Sequence, residues 1–369
     1  MAPFAKPQTN FQFLSELLLN TPGSSQKVLD PKLGPPTDMS NVLSATNFEA
    51  LKTLAATNHV IVRAFMRLQP ILQEGGKYDL VKLVTASLEA ERSRIKHALI
   101  FLARICSALE QNGCAVTVIK SLDHWPDLGS DLDLYTDADA AKVVQVMSSQ
   151  FAAKLAERSW GDRLANKWNF VVPGLPEMIE VHIGRLGQTG EQTAFTRSLL
   201  HRIRVIIIDG QTFRVLAPED RIIISTLQRM YRHFYIRLCD VVDNAQLLDS
   251  HEVNFDNLHN MGYLTGLWEG IATYLVIISE YVEKYRGYGV PLPSLVTESA
   301  KFGAQPVCFR KDFLRVPILP HSLNLYAGEL KTLLLRGQLR NTFRLSLLPG
   351  LATAAALEMK ITGSDKGIW

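Results

Sequence analysis

The spacing of the apolar residues changes twice along this chain of 369 residues, and the two changes restrict the folds open to it. Between residues 41 and 112 apolar side chains recur every three or four positions, which predicts helices. Residues 113–217 show the shorter alternation that is typical of strands, and the helical spacing then returns from Pro218 to about Tyr285 and again over 321–348. The order predicts an α+β fold, in which helices flank a small mixed sheet.

Turn residues divide the middle of the chain into short strands, so that hairpins and a mostly antiparallel sheet are expected. A helix capped by Asp137 is predicted over 137–158. Pro, Gly, Ser and Asn are frequent in residues 1–40, which we expect to form a loosely ordered arm. The predicted strands cover 115–120, 131–135, 166–172, 177–183 and, as a hairpin turning at Asp209-Gly210, 204–216. The predicted parts are the arm 1–40, a helical N-terminal region 41–112, a mixed unit 113–217 and a helical C-terminal domain 218–369.

The charges nearly balance, at 39 basic and 36 acidic residues, so the chain as a whole shows no preference for nucleic acid. One segment, 305–349, carries seven basic and two acidic residues. Arg336, Arg340 and Arg344 are four residues apart there, which predicts one cationic face of a helix. Such a face is more often the solvated side of a packed amphipathic helix than a surface for RNA or membrane.

Four scattered cysteines show no metal-ligand spacing, and we expect them to be free thiols in a reducing compartment. The N-terminal sequence lacks the pattern of a signal peptide, and no apolar run approaches the roughly 20 residues that span a bilayer. The sequence therefore predicts a cytoplasmic protein without membrane insertion.

The strongest chemical signal is a pair of acids in an apolar strand. Asp131 and Asp133 alternate with Leu132 and Leu134, so the two carboxylates share one face about 7 Å apart. Carboxylates so close repel each other and are costly to desolvate unless a cation lies between them. Hard divalent cations prefer such ligands, which makes Mg²⁺ or Mn²⁺ the expected cofactor. A solvated surface pair and the D-x-D motif of glycosyltransferases remain open on these residues alone.

The run Ile119-Lys120-Ser121, followed after nine residues by Asp131, resembles the nucleotidyltransferase superfamily related to DNA polymerase beta. It is most similar to the uncharacterised bacterial nucleotidyltransferases. The resemblance makes 113–217 the catalytic domain and implies that Ser121, with nearby backbone N–H groups and Ser130, binds nucleotide phosphates. Lys120 stands where this superfamily usually has Gly, and its ammonium group could contact a phosphate.

The superfamily also carries a third carboxylate on a later strand, and Glu180 fits this position because Ile179 and Val181 flank it. The resemblance implies that Asp131, Asp133 and Glu180 are catalytic and hold the metal. His182 shares the face of Glu180 and is a possible accessory residue. An exposed acid on an edge strand is the alternative for Glu180.

Residues 217–248 resemble the helix that follows the catalytic domain in the same family branch. If this segment is one helix, Arg229, His233 and Arg237 lie four apart on one face, and Arg232 and Asp240 lie along its edge. The resemblance implies that the stripe holds the nucleotide, with Arg232 and Asp240 as accessory residues. A solvated cationic face is the alternative.

Together these features imply an enzyme that moves a nucleoside monophosphate from an NTP, ATP among the candidates, to an acceptor hydroxyl and releases pyrophosphate. We expect the acceptor to be a small molecule or a protein hydroxyl, with RNA as a weaker candidate because residues 305–349 offer few aromatic side chains for stacking. A binding or scaffold protein on a decayed nucleotidyltransferase fold is the alternative. A metal-dependent glycosyltransferase is less favoured, because helices precede the D-x-D where that enzyme would need a doubly wound nucleotide-binding half.

Overall fold

The computed structural model describes residues 7–20, 43 and 45–362. A seven-stranded sheet in the order β3-β4-β5-β2-β1-β7-β6 occupies the middle of the chain. β1 pairs in parallel with β7, and β2 with β5, whereas the other four pairings are antiparallel. The strands are β1 (Val116–Val118), β2 (Asp131–Thr136), β3 (Lys154–Leu155), β4 (Lys167–Val171), β5 (Met178–Ile183), β6 (Ile203–Ile208) and β7 (Gln211–Leu216).

Helices flank this sheet, which confirms the predicted α+β class. A second sheet, in the order β8-β10-β9, joins β8 (Tyr235–Ile236), β9 (Cys308–Arg310) and β10 (Phe313–Arg315). The helices are α1 (Pro7–Leu19), α2 (Ala45–Thr57), α3 (Ile61–Glu74), α4 (Tyr78–Gln111), α5 (Ala140–Phe151), α6 (Trp160–Ala165), α7 (Thr193–Leu199), α8 (Pro218–Thr226), α9 (Leu238–Asp249), α10 (Phe255–Thr265), α11 (Trp268–Arg286), α12 (Ser294–Ser299), α13 (Leu323–Leu335), α14 (Leu339–Ser346) and α15 (Leu348–Thr362).

The first helix differs from the expected loose arm. Phe11, Leu14 and Leu17 of α1 are buried in the main core. The guanidinium of Arg67 donates hydrogen bonds to the carbonyl oxygens of Leu17 and Leu18, at 2.9 and 2.7 Å, and so satisfies acceptors at the end of the helix. Residues 7–19 are thus part of the folded unit. The rest of the predicted arm, apart from Asn20, lies outside the described residues.

The helix predicted over 137–158 is shorter at both ends. The side chain of Asp139, not Asp137, accepts hydrogen bonds from the backbone N–H groups of Ala141 and Lys142, at 3.0 and 3.3 Å, and caps α5. The helix ends where Ala152 adopts a φ of 50°, and the chain then enters β3.

Arg336, Arg340 and Arg344 do not share one helix, in contrast to the prediction. α13 ends at Leu335, and Gly337 adopts a φ of 67° before α14 begins at Leu339. A positive φ of this kind breaks the helical path, and glycine takes it at little cost. The Arg336 guanidinium lies 4.9 Å from the centre of the Tyr263 ring, whereas Arg340 and Arg344 belong to a different surface.

A buried carboxyl group in α13 leads to a prediction on stability and pH. Glu329 accepts a hydrogen bond from the Gln192 amide at 2.5 Å. Burial raises the pKa of Glu329 well above its ordinary value, and the charge of Glu191 raises it further. The folded protein therefore keeps this proton where the unfolded chain, with a pKa of about 4.3, has lost it. Stability contributed by this group falls as the pH rises above about 4.3, until the folded pKa is reached.

We expect Glu329→Gln to raise the free energy of unfolding at pH 8 by about 1–3 kcal/mol, because the neutral amide has no charge to desolvate. Chemical denaturation at pH 5 and pH 8 measures the effect, with Glu298→Gln, an exposed position on α12, as the control. A variant that is less stable than the wild type at both pH values would show that Glu329 is ionised and paired.

Candidate functional site

Two parallel strands bring the predicted acids together. β2 and β5 pair with Asp133 directly beside Glu180, and Asp131 lies on the same face of β2 as Asp133. Leu132 and Leu134 are fully buried on the opposite face and fix the register of the strand. Ligand atoms of Asp133, Glu180 and His182 all lie within 4.8 Å of one another. The structure therefore brings Asp133, Glu180 and His182 together, and Asp131 lies two residues before Asp133 on the same face of β2.

The electrostatic environments of the two aspartates differ. Burial raises the pKa of Asp131, and the negative charges of Glu180 and Asp133 raise it further. Burial has the same tendency at Asp133, but the Lys120 ammonium and His182 overcome it and hold the pKa of Asp133 below its ordinary value. Asp133 is thus firmly ionised, and Asp131 experiences an excess of negative charge.

Asp133 orients the imidazole of His182. Its Nε2 atom lies 3.3 Å from an oxygen of Asp133 and 3.9 Å from an oxygen of Glu180. Burial lowers the pKa of His182 despite these carboxylates. The imidazole is therefore expected to be neutral at pH 7 and to donate one hydrogen bond to Asp133.

Lys120 forms the tight turn that leads into the site. Its φ of 62° and ψ of −54° place the backbone in a γ-turn, in which the N–H of Ser121 donates to the carbonyl of Ile119 at 2.6 Å. The Lys120 ammonium forms an ion pair with Asp133. The Ser121 hydroxyl accepts a hydrogen bond from the N–H of Asp133 at 2.7 Å and donates to the carbonyl of Asp131 at 3.3 Å. The hydroxyl is therefore engaged in holding the turn against β2.

This turn permits a matched test of backbone strain. Lys120→Gly and Lys120→Ala both remove the ammonium group, but only glycine adopts the positive φ without a steric cost. We expect the glycine variant to be more stable than the alanine variant by about 1–2 kcal/mol, measured by chemical denaturation. Equal stabilities would show that this backbone conformation carries no strain.

A lysine that was not predicted as a site residue from the sequence lies beside the acids. Lys167 stands opposite His182 in the antiparallel pair of β4 and β5. Its Nζ atom lies 3.2 Å from Glu180 and 3.0 Å from Asp162. Lys167 and Asn169 alternate with aromatic residues in β4, and this alternation was the available signal.

The single helix predicted after Pro218 is interrupted. The prediction that Arg229, His233 and Arg237 share one helical face is therefore wrong. α8 ends at Thr226, a π-helical turn covers Leu227–Arg232, and Phe234 adopts a φ of 52°. β8 then pairs with β10. Pairing with a strand some 80 residues later in the chain replaces the helix, which local spacing does not foresee.

Arg229, predicted to bind nucleotide, is buried and holds a structural partner instead. Its Nε atom lies 2.7 Å from a carboxylate oxygen of Asp240. The same oxygen accepts a hydrogen bond from the backbone N–H of Arg237, at 2.7 Å, where α9 begins. Burial tends to lower the pKa of Arg229, but Asp240 raises it above its ordinary value. This buried ion pair joins the π-helical turn to α9.

The other residues predicted to bind nucleotide have different environments. Burial lowers the pKa of His233 well below its ordinary value, and the charges of Arg232, Arg229, Arg237 and Lys120 lower it further. Arg232 lines a small cavity together with His182 and Lys167. Arg237 lies 5.7 Å from the centre of the Tyr235 ring, and the Ser130 hydroxyl donates to Asp131 at 3.2 Å. The interrupted helix therefore still gathers positive charge around the turn at Lys120.

A buried network of ion pairs and hydrogen bonds holds the turn that follows Lys120 in place. Arg63 of α3 contacts Asp127 at 2.7 Å and Asp243 of α9 at 2.5 Å. His124, at the end of the helical turn Ser121–His124, hydrogen-bonds to the other oxygen of Asp243. Burial tends to lower the pKa of His124, but the neighbouring Cys239 and Asp243 raise it well above its ordinary value. Three distant parts of the sequence thus fix one turn.

Residues 44–264 match the model of a protein family described as uncharacterised nucleotidyltransferase, which is more than half of the chain. The chain belongs to this family. Membership confirms the resemblance and supports a general role in nucleotidyl transfer. Asp133 and Glu180 of this chain supply the oxygen ligands that divalent metals prefer, which fits the metal dependence typical of nucleotidyltransferases.

Among solved structures, the chain is similar to an antigenic nucleotidyltransferase-like protein from Paracoccidioides brasiliensis. The identity is 14%, and the match covers 55% of this chain and 97% of the other, with a TM-score of 0.35. A TM-score this low carries no information about the site. No curated protein matches the chain. Within the described part of the chain, no helix has both the length and the apolar character needed to cross a bilayer.

Proposed function

We propose that the protein is a Mg²⁺- or Mn²⁺-dependent nucleotidyltransferase, which transfers a nucleoside monophosphate from an NTP to an acceptor hydroxyl and releases pyrophosphate. One observation carries the proposal: the parallel register of β2 and β5 sets Asp133 beside Glu180, with Asp131 on the same face. A member of a nucleotidyltransferase family that carries these three acids is well suited to this chemistry.

The donor set suits a divalent metal. Asp131, Asp133 and Glu180 offer carboxylate oxygens on adjoining strands. Burial raises the pKa of Asp131, and the charges of Glu180 and Asp133 raise it further, so a bound cation would favour its ionised form. These three residues would hold the metal. When bound, the metal supplies charge neutralisation at the phosphate oxygens and makes the acceptor hydroxyl easier to deprotonate.

The remaining residues act on the substrate and on the acids. Glu180 accepts the proton of the acceptor hydroxyl, and His182 fixes the orientation of Asp133 through its hydrogen bond. Lys120, Arg232 and Arg237 receive the triphosphate, because fixed cations neutralise charge during phosphoryl transfer. The neutral imidazole of His233, the Ser130 hydroxyl and the backbone near Ser121 contribute hydrogen bonds to the phosphates. Arg229 and Asp240 act indirectly, because their ion pair holds this segment in place.

We favour catalysis over a decayed scaffold because the acids share one face of the sheet, Lys120 pairs with Asp133, and Arg232 lines a cavity with His182. A scaffold needs no such convergence of charge, which costs stability in the absence of a ligand. The glycosyltransferase alternative lacks its structural basis, because four helices precede the sheet and no doubly wound half comes before Asp131 in the described part of the chain.

The position of a radioactive label tests the reaction directly. The purified protein is incubated with Mg²⁺, a cell extract as the source of acceptors and each NTP labelled either at the α- or at the γ-phosphate. We expect the α-label to move to an acceptor and the γ-label to appear in pyrophosphate. Transfer of the γ-label would indicate a kinase, and retention of both labels in NTP would favour the scaffold.

A further inference from the structure

Four arginines converge on a cavity of about 480 Å³ that the catalytic residues do not use. Arg185 follows β5, Arg197 lies on α7, and Arg340 and Arg344 lie on α14. Thr193 and Asn341 add polar groups, and no acidic residue lines the cavity. The cavity volume is within the range of sites for small ligands.

The charges of these arginines oppose one another. Burial lowers the pKa of Arg185, and the charge of Arg340 lowers it further. Burial also lowers the pKa of Arg344, with further contributions from Arg185 and Arg340, against which Glu191 acts. Guanidinium groups held this close cost free energy unless an anion compensates them.

Protein groups supply little of that compensation. Within the described chain, none of the four arginines forms an ion pair with a carboxylate. Arg344 donates to the carbonyl of Gly190 at 3.1 Å, and Arg185 to the carbonyl of Leu164 at 3.5 Å. Glu191, the acid that acts on Arg344, is already bonded to the N–H groups of Gln188 and Thr189.

We propose that this cavity binds a small ligand carrying at least two phosphate groups. Guanidinium groups recognise phosphate through paired N–H donors, and several of them together favour a multiply charged ligand over a single anion. The absence of aromatic residues from the cavity lining argues against a nucleic acid, whose bases stack on such side chains. The neighbouring Phe343 is exposed but is not part of the lining.

The cavity is separate from the carboxylates. β5 carries Glu180 near its start, and its last residue, Ile183, lies about 10 Å further along the strand. Arg185 comes after that end of the strand, beyond the acids. The proposal therefore does not depend on nucleotidyl transfer, and it gives a role to Arg340 and Arg344, two of the seven basic residues in the 305–349 segment.

Inorganic tripolyphosphate in EDTA is the probe, because without metal the carboxylate site repels it. Calorimetry should show saturable binding of one tripolyphosphate per chain, and Arg197→Gln with Arg340→Gln should weaken it at least tenfold. Neither side chain donates a hydrogen bond within the described chain, so the thermal midpoint should be preserved. Lys331→Gln with Arg336→Gln removes the same charge from exposed positions and should retain wild-type affinity.

A second control separates this site from the catalytic one. Asp131→Asn with Asp133→Asn should leave the affinity for tripolyphosphate in EDTA unchanged. Tighter binding in that variant, which lacks two repelling carboxylates, would place the ligand at the cations beside the catalytic acids instead. No saturable binding by the wild type, or equal weakening in both charge-removing pairs, would overturn the proposal. Tighter binding of a single-stranded RNA oligonucleotide through the same arginines would replace it with a nucleic-acid site.

Discussion

Replacing Asp131 and Asp133 together by asparagine should lower nucleotidyl transfer at least about 1,000-fold. Loss of even one group that stabilises transition-state charge costs about 100- to 1,000-fold, and this variant removes two. The assay follows the α-label from NTP to acceptor under saturating Mg²⁺. Asp137→Asn, at an exposed position just beyond the same strand, is the matched control and should retain wild-type activity.

The single variants should separate charge repulsion from ion pairing. Asp131→Asn removes the cost of burying this carboxylate and its repulsion by Glu180 and Asp133, which together raise the pKa of Asp131, and should stabilise the metal-free protein. Asp133→Asn leaves Lys120 without its carboxylate partner and should not stabilise it. Activity within tenfold of wild type in the double variant would exclude these acids from catalysis.

The second large effect concerns stability. Arg229→Met should destabilise the fold by about 3–5 kcal/mol, because it leaves the buried carboxylate of Asp240 without its cation. Denaturant titration measures this loss. Arg232→Met, at a half-buried neighbour that forms no ion pair within the described chain, is the matched control and should change stability by less than about 1 kcal/mol.

A variant that removes both partners, Arg229→Met with Asp240→Leu, should recover much of the lost stability, because no charge is then left buried alone. The opposite outcome is equally informative. A fully stable Arg229→Met protein with weakened NTP binding would restore the view that this arginine faces the nucleotide.

The strands that build the site were predictable because their signal is local. Alternation of Asp131 and Asp133 with leucines, and of Glu180 with Ile179 and Val181, places the acids on one face without any knowledge of partners. The direct pairing of β2 with β5 required the structure, since nothing in either segment specifies its neighbour.

Features that depend on distant parts of the chain could not be read from spacing. The helix predicted beyond Thr226 yields to β8 because its partner β10 lies about 80 residues later. The network of Arg63 and Asp243 joins residues 180 positions apart. The cavity that joins Arg185 to Arg344 unites two segments whose charges look unrelated in the sequence.

Direct measurement of Mn²⁺ binding tests the central claim that Asp131, Asp133 and Glu180 form a divalent-metal site. Titration of the purified protein, followed by the electron paramagnetic resonance signal of free Mn²⁺, gives affinity and stoichiometry without any acceptor. We expect saturable binding by the wild type and by Asp137→Asn, and at least tenfold weaker binding by Glu180→Gln and by Asp131→Asn with Asp133→Asn. Wild-type Mn²⁺ affinity in these variants, or no binding by the wild type in the presence of NTP, would contradict the account.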